Sequence, residues 1–306
     1  MKVALVGIGK IALDQHVPAI TNSPDWELAA TVSRSGSVEG VEAFTDLGSM
    51  LDARPDIRVV SLCLPPVPRF AYAMQALEAG RHVRMEKPPA ATLTECHALE
   101  ASARKAGLTL YATWHSREAD MVAAAKAWLA DKVLKELTVT WKEDVCRWHP
   151  GQAWIWEPGG LGVFDPGINA LSIVTEILPD DIYVKQAMLE VPDNCQTPIA
   201  AQIEFFHPGG AKVDAVFDWR QKDQIWQIEV VTESGTLTLS DGGARMEIDG
   251  AASGEAAALA GEYPRLYWRM ANLVQQGRMD VDLRPMTLVA DAFTLGRREP
   301  VAPVLE

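Results

Sequence analysis

Val3-Ala4-Leu5-Val6-Gly7-Ile8-Gly9-Lys10-Ile11-Ala12 is the stretch that decides the fold class. Its first four residues are continuously apolar, as in a strand buried on both faces of a parallel sheet. A pair of glycines follows at once, alanine stands where GxGxxG has its third glycine, and a helical pattern runs on to about Ile20. Gly7 permits a tight turn, Gly9 lets the backbone approach a pyrophosphate, and Ala12 is small enough for helix to pack on strand. The N–H groups opening the helix would take the phosphates. Strand, glycine loop and helix in that order point to dinucleotide binding, with Gly7, Gly9, Lys10 and Ile11 facing the cofactor.

Outward from this start, the pattern alternates as in a doubly wound sheet. Strands are expected over 27–32, 59–64, 83–85 and 108–112, and helices over 47–53, 70–79 and 93–106. Gly80 reads as a helix end. Thr92 and Glu95 have the spacing of a capping box. The second strand ends in Thr31-Val32-Ser33-Arg34-Ser35, without the acidic residue that grips a free ribose 2′-hydroxyl. The hydroxyl of Ser33 and the guanidinium of Arg34 suit a 2′-phosphate instead. The other reading is that Arg34 is an ordinary loop arginine tolerating either cofactor. NADP is therefore expected to serve at least as well as NAD. Leu64 and Pro65, at another strand end, would flank the nicotinamide.

His82-Val83-Arg84-Met85-Glu86-Lys87-Pro88-Pro89 is a short strand stopped by two prolines, which cannot donate to a ladder and which hold the preceding residue extended. Lys87 thus stands at the carboxyl end of a strand, where open α/β sheets bind ligands. It is either a surface lysine before a turn or a fixed positive charge beside a reacting oxygen.

After Trp114-His115-Ser116-Arg117 the pattern changes. A helix is expected over 118–130, strands over 137–141, 184–191, 200–206, 213–219, 226–232 and 236–239, and late helices over 263–275 and 286–295. Few helices separate these strands, so the sheet should be open and mainly antiparallel. The expected class is α/β: a Rossmann doubly wound parallel sheet over 1–117 and a substrate-binding α+β domain over 118–306. At 306 residues and 48% hydrophobic, the chain can bury two cores. A formal net charge of -13 argues against nucleic acid as a partner. No apolar run approaches the ~18 residues of a membrane span. The chain start reads as a first strand rather than a signal peptide. Cys63, Cys96, Cys146 and Cys195 form no CxxC. A cytoplasmic protein without a metal is expected.

Two further stretches carry candidate chemistry. In Trp141-Lys142-Glu143-Asp144-Val145-Cys146-Arg147-Trp148-His149-Pro150, followed by Trp154 and Trp156, indoles are interleaved with charges. That suits a polar pocket with flat apolar walls, the lining a sugar needs, or equally an interface between domains or subunits. In Gly159-Gly160-Leu161-Gly162-Val163-Phe164-Asp165-Pro166-Gly167-Ile168-Asn169, Asp165 before Pro166 reads as an N-cap with proline at the first helical position. Asn169, four residues on, shares the face of Asp165.

With these stretches in place, the chain resembles the Gfo/Idh/MocA oxidoreductase family along essentially its whole length. Gly7 to Ala12, Glu86-Lys87-Pro88 and the glycine run leading to Asp165 match its markers in order. Asp14-Gln15-His16-Val17-Pro18-Ala19-Ile20, Trp114-His115-Ser116-Arg117, Trp141-Lys142-Glu143-Asp144, Trp148-His149-Pro150-Gly151-Gln152 and Phe164-Asp165-Pro166-Gly167-Ile168-Asn169-Ala170-Leu171 are most similar to its bacterial D-galactose and L-arabinose 1-dehydrogenase branch. The resemblance implies oxidation of C1 of an aldopyranose to the lactone, with NAD(P)+ as acceptor. It implies catalytic roles for Lys87, Asp165 and Asn169, and substrate contacts from Glu143, Trp148 and His149 as well as from those three. Glu86, Lys87 and Trp114 join the cofactor residues. Most family members carry a histidine four residues after the aspartate; here, as in the galactose and arabinose branch, that place is Asn169, which cannot titrate. Asp165 is then the candidate base, with His149 as the alternative. A non-catalytic, cofactor- and sugar-binding regulatory paralogue is the rival reading. Any homo-oligomer is expected to form through the C-terminal sheet.

Overall fold

The computed structural model describes residues 1–255 and 259–304. They form two compact units. The first comprises 1–115 and 261–283; the second comprises 116–260 and the residues from 284 onward.

The first unit opens with β1 (Lys2–Val6), a π-helical turn at Ala12–His16 and α1 (Val17–Thr21). β2 (Glu27–Val32), β3 (Glu42–Phe44), α2 (Leu47–Ala53), β4 (Val59–Leu62), α3 (Pro66–Glu78), β5 (His82–Met85), α4 (Leu93–Ala106) and β6 (Leu110–Ala112) follow. Among the described residues the six strands lie in the order β3-β2-β1-β4-β5-β6, all pairs parallel. This is the doubly wound dinucleotide-binding order, with its reversal point beside β1 and β4. Val3 to Val6 are at most 1% exposed, as their unbroken apolarity requires. The Thr92–Glu95 capping box forms, and α4 ends at Gly107 in the left-handed region.

The second unit begins with α5 (Val122–Leu129), β7 (Leu134–Asp144), the short α6 (Val145–Trp148), α7 (Phe164–Ile177), β8 (Tyr183–Pro192), β9 (Ala200–Phe206), β10 (Lys212–Asp218), β11 (Arg220–Thr232), β12 (Gly235–Ser240), β13 (Arg245–Ile248) and β14 (Ala251–Ala252). The chain then returns to the first unit as α8 (Glu262–Gln276). It closes in the second with α9 (Arg284–Leu295) and β15 (Gly296–Val301). The order in the large sheet is β14-β13-β12-β11-β7-β10-β9-β8-β15. The β7–β10 and β8–β15 pairs are parallel and the others antiparallel. β7 alternates buried and half-buried residues, and the nearly fully buried α7 packs against it, α5 and α9.

α8 explains the second face of the first sheet. Its Tyr263, Leu266, Tyr267, Met270 and Ala271 recur at helical spacing and are buried with Ile20 and Trp26 in one core. The other face is covered by α2, α3 and α4, with Leu51, Leu77 and Leu99 in its core.

Two expectations are corrected. The helix expected over 118–130 begins only at Val122, after a 3-10 turn at His115–Glu118; the N–H of Met121 is drawn instead to the carbonyl of Gly243 at 2.9 Å. Asp165 is not an N-cap. The cap residue is Val163, and Asp165 lies within the first helical turn, its N–H bonded to the carbonyl of Gly162 at 2.8 Å. Pro166 is accordingly the third residue of α7, still among the positions whose N–H has no intrahelical partner.

Candidate active site

In the first unit, Gly7 sits at φ +86°, and a Cβ there would come within 3.0 Å of the backbone nitrogen of Leu64. The tight turn is therefore also the place where the end of β4 presses on the glycine loop. Gly9 is different: a Cβ on it would meet no protein atom within 4 Å. Its missing side chain leaves outward room, which fits backbone contact with a pyrophosphate. Lys10 forms an ion pair with Asp14, and Ile11 is exposed. Ser33 Oγ accepts from the N–H groups of Ser35 and Gly36 at 3.4 and 3.0 Å, so it shapes the loop after β2. Arg34 is exposed there. These residues fit a nucleotide's phosphates and ribose. Leu64 is half-buried and Pro65 exposed. Trp114 is buried, and its indole N–H donates to the carbonyl of Asp282 at 2.8 Å.

Lys87 is half-buried beside the buried Glu86 and is joined to Pro88 by a cis peptide bond. Glu86 Oε1 accepts from Arg84 at 3.1 Å and faces His16 Nε2 at 3.0 Å; Oε2 accepts from the N–H of Lys87 at 3.3 Å. Burial alone would raise the Glu86 carboxyl, but the hydrogen bond from His16 and the Arg84 charge hold it well below its ordinary range. Burial, reinforced by the nearby Arg84 charge, pushes His16 down to about 4, so it is neutral at pH 7. Its tautomer follows. The anionic Glu86 can only accept, so Nε2 carries the proton and Nδ1 accepts from the Tyr267 hydroxyl at 2.7 Å. That hydroxyl in turn accepts from Ser61 Oγ at 3.0 Å, which takes a long contact from Arg84 at 3.5 Å. The hydrogen bonds linking Glu86, His16, Tyr267 and Ser61 thus each run in one direction. The sequence showed His16 only as part of a motif, and Arg84, Ser61 and Tyr267 gave no sign of joining it.

In the second unit, Glu143 is 2% exposed near the end of β7. Its two oxygens accept from the indoles of Trp219 at 3.1 Å and Trp226 at 2.7 Å. Trp141 stacks on Trp226 with centroids 5.6 Å apart, and the exposed Trp148 packs against the same ring at 5.5 Å. Trp219 is enclosed by His149 at 5.2 Å and Trp156 at 5.3 Å. His149 Nε2 lies 3.5 Å from Asp165 Oδ2, while Nδ1 is 3.3 Å from the side-chain amide of Gln152. Asp165 is 4% exposed. Asn169 stands one helical turn further along α7, half-buried, its carbonyl accepting from Ser172 Oγ at 2.7 Å. The approach to α7 leaves no room for a side chain at Gly162, which sits at φ +55° and would place a Cβ 2.3 Å from the carbonyl oxygen of Pro198. The structure thus brings together Glu143, Trp148, His149 and Asp165 around two tryptophans the sequence reading had not singled out. The available signal was an indole at each facing strand end, with Trp226 registered opposite Trp141.

An aspartate and an imidazole beside a carboxylate-braced indole wall can bind a polyol and accept a proton from it. No group of three or more His, Cys, Asp or Glu side chains among the described residues could hold a metal ion. No described helix is long and apolar enough to cross a membrane.

Residues 1–113 match the model of the oxidoreductase family with NAD-binding Rossmann fold, GFO_IDH_MocA. The chain is 45% identical to galactose 1-dehydrogenase of Pseudomonas fluorescens over 98% of its own length and 97% of the relative's. It is 51% identical to the crystal structure of D-galactose-1-dehydrogenase from Rhizobium etli, with a TM-score of 0.95 over 99% and 97% of the two chains. A 3-ketoreductase from Actinomadura kijaniata, crystallised with NADP, shares the fold at 19% identity and a TM-score of 0.86, covering 98% of this chain and 99% of its own. The first unit contains an NAD(P)-binding Rossmann domain. With near-full-length identity to one relative and the family model spanning its nucleotide-binding strands, the chain belongs to the Gfo/Idh/MocA oxidoreductase family.

Proposed function

We propose that the protein is a galactose 1-dehydrogenase, oxidising C1 of D-galactopyranose to the lactone with NADP+ or NAD+. The observation that carries this reading is the 45% and 51% identity, along nearly the whole chain, to two galactose dehydrogenases. The carboxylate-braced indoles supply the flat apolar surface and polar edge that a sugar ring needs. The nicotinamide, when bound, supplies the hydride acceptor. Lys87 donates a hydrogen bond to O1 and stabilises its developing charge. The Asp165 carboxylate takes the O1 proton, and His149 stands 3.5 Å away to share it. Asn169, an amide one turn from Asp165, orients the ring. Trp148 and Glu143 complete the sugar contacts, the latter through the indoles it holds. Ser33 and Arg34 favour the 2′-phosphate of NADP+.

Turnover with D-galactose, L-arabinose and D-glucose, each with NADP+ and NAD+, tests the reading through the absorbance of the reduced nicotinamide. Galactose oxidation is expected. Binding of cofactor and sugar without turnover would instead identify a regulatory paralogue.

A further inference from the structure

Arg69 enters none of the roles above, yet its guanidinium is committed to the backbone on both sides of Lys87. It lies in the first turns of α3 and is 2% exposed. Nη1 donates to the carbonyl of Glu86 at 2.6 Å and also to the carbonyl of Pro88; Nη2 donates to the carbonyl of Leu64. One planar fork therefore ties the residue before the lysine, the residue after it, and the end of the loop that follows β4. The Lys87 N–H is held separately by the Glu86 carboxylate. Buried carbonyls outside a ladder need a donor. Only arginine offers several donors in one rigid plane; an ammonium is a compact charge on a flexible stem.

We propose that Arg69 is a positioning residue for Lys87, fixing the backbone from which the lysine projects and keying it to the Leu64–Pro65 wall. This rests on the role given to Lys87 above. Arg69 acts on the reaction only through the lysine. Displacing a catalytic group by about 1 Å costs on the order of 10²-fold in rate.

The test is a double-mutant cycle on galactose turnover, with NADP+ affinity measured alongside by fluorescence titration. Arg69→Ala should lower kcat about 10²-fold. In the Lys87→Ala background the same change should cost no more than about 3-fold, because groups acting as one unit are not additive. NADP+ binding should persist in each variant. Arg69→Lys, which keeps the charge but loses the fork, should follow the same pattern more weakly, and it decides the matter if Arg69→Ala does not fold. Near-full activity of either Arg69 variant, or an equal loss in both backgrounds, overturns the proposal. Near-full activity of Lys87→Ala alone shows that the role of Lys87 itself was wrong, and the proposal falls with it.

Discussion

Acidifying the protein from pH 7 to pH 5 should expose the neutral state of His16 as a stability cost. The ordinary value of the histidine is 6.5, and burial first, then Arg84, pushes it down to about 4 in the folded protein. Between those values the unfolded chain binds a proton that the folded chain refuses. Stability from this group is therefore complete above about pH 7 and drains as pH falls toward 4. Integrating the two titrations from pH 7 to pH 5 gives about 2 kcal/mol. Glu86, also held low, loses stability only below its ordinary 4.5 and stays outside this window. His82, lowered by burial and then by Arg58, titrates in any comparison that leaves it intact, and so cancels. The comparison is His16→Gln, which does not titrate. At pH 7 the variant should be less stable by about 1–3 kcal/mol, the cost of disrupting buried hydrogen bonds. By pH 5 that gap should have narrowed by about 2 kcal/mol. Urea unfolding at pH 7, 6 and 5, followed by tryptophan fluorescence, reads the difference directly. A gap that stays constant or widens on acidification would refute a neutral buried His16.

Asp165→Asn should lower kcat by about 10²–10⁴ if the carboxylate is the base; since Val163 rather than Asp165 precedes α7, its melting temperature separates loss of fold from loss of chemistry, and a fully active, folded variant would remove Asp165 from the reaction. Arg34→Ala should weaken NADP+ and leave NAD+ nearly unchanged in steady-state titrations, and equal losses would show that Arg34 does not read the 2′-phosphate. Glu143→Gln puts an amide N–H₂ where one indole N–H now donates, at a cost of about 1–3 kcal/mol; a lower Tm and a raised galactose KM are expected, and an unchanged KM would detach the indole wall from sugar binding.

What was legible in the sequence was what local chemistry writes into adjacent residues. Val3 to Ala12 encodes strand, turn and helix with no help from elsewhere, and Thr92 with Glu95 closes its own capping box. Lys87 could be placed at a strand end because Pro88 and Pro89 stop the strand beside it. What was not legible depends on distant partners. Trp219 and Trp226 read as ordinary strand residues until Glu143, on a third strand, draws both indole N–H groups to itself. The strand Gly296–Val301 carries Arg297, Arg298, Glu299 and Pro300; such a sequence is tolerated because it pairs at an edge, parallel to β8. Asp165-Pro166 has the form of a helix start, yet the helix begins at Phe164, directly after the left-handed turn at Gly162 and the cap at Val163.

The return of the chain to its first unit sets an order of events during synthesis. That unit needs α8: Tyr267 completes the buried ring at His16, and Leu266 and Met270 fill the sheet's second face. Residues 1–115 and 261–283 are separated by most of the second unit. At roughly 5–20 residues per second, the ribosome makes residue 283 on the order of 10–30 s after residue 115. During that interval one face of the six-stranded sheet lacks its covering helix, Arg84 lacks the Tyr267 ring, and His16 lacks the Tyr267 hydroxyl. The nascent nucleotide-binding unit thus keeps apolar surface exposed while the second unit's sheet is being made. Tagged or truncated forms ending between 115 and 283 should be insoluble even though they contain every cofactor motif.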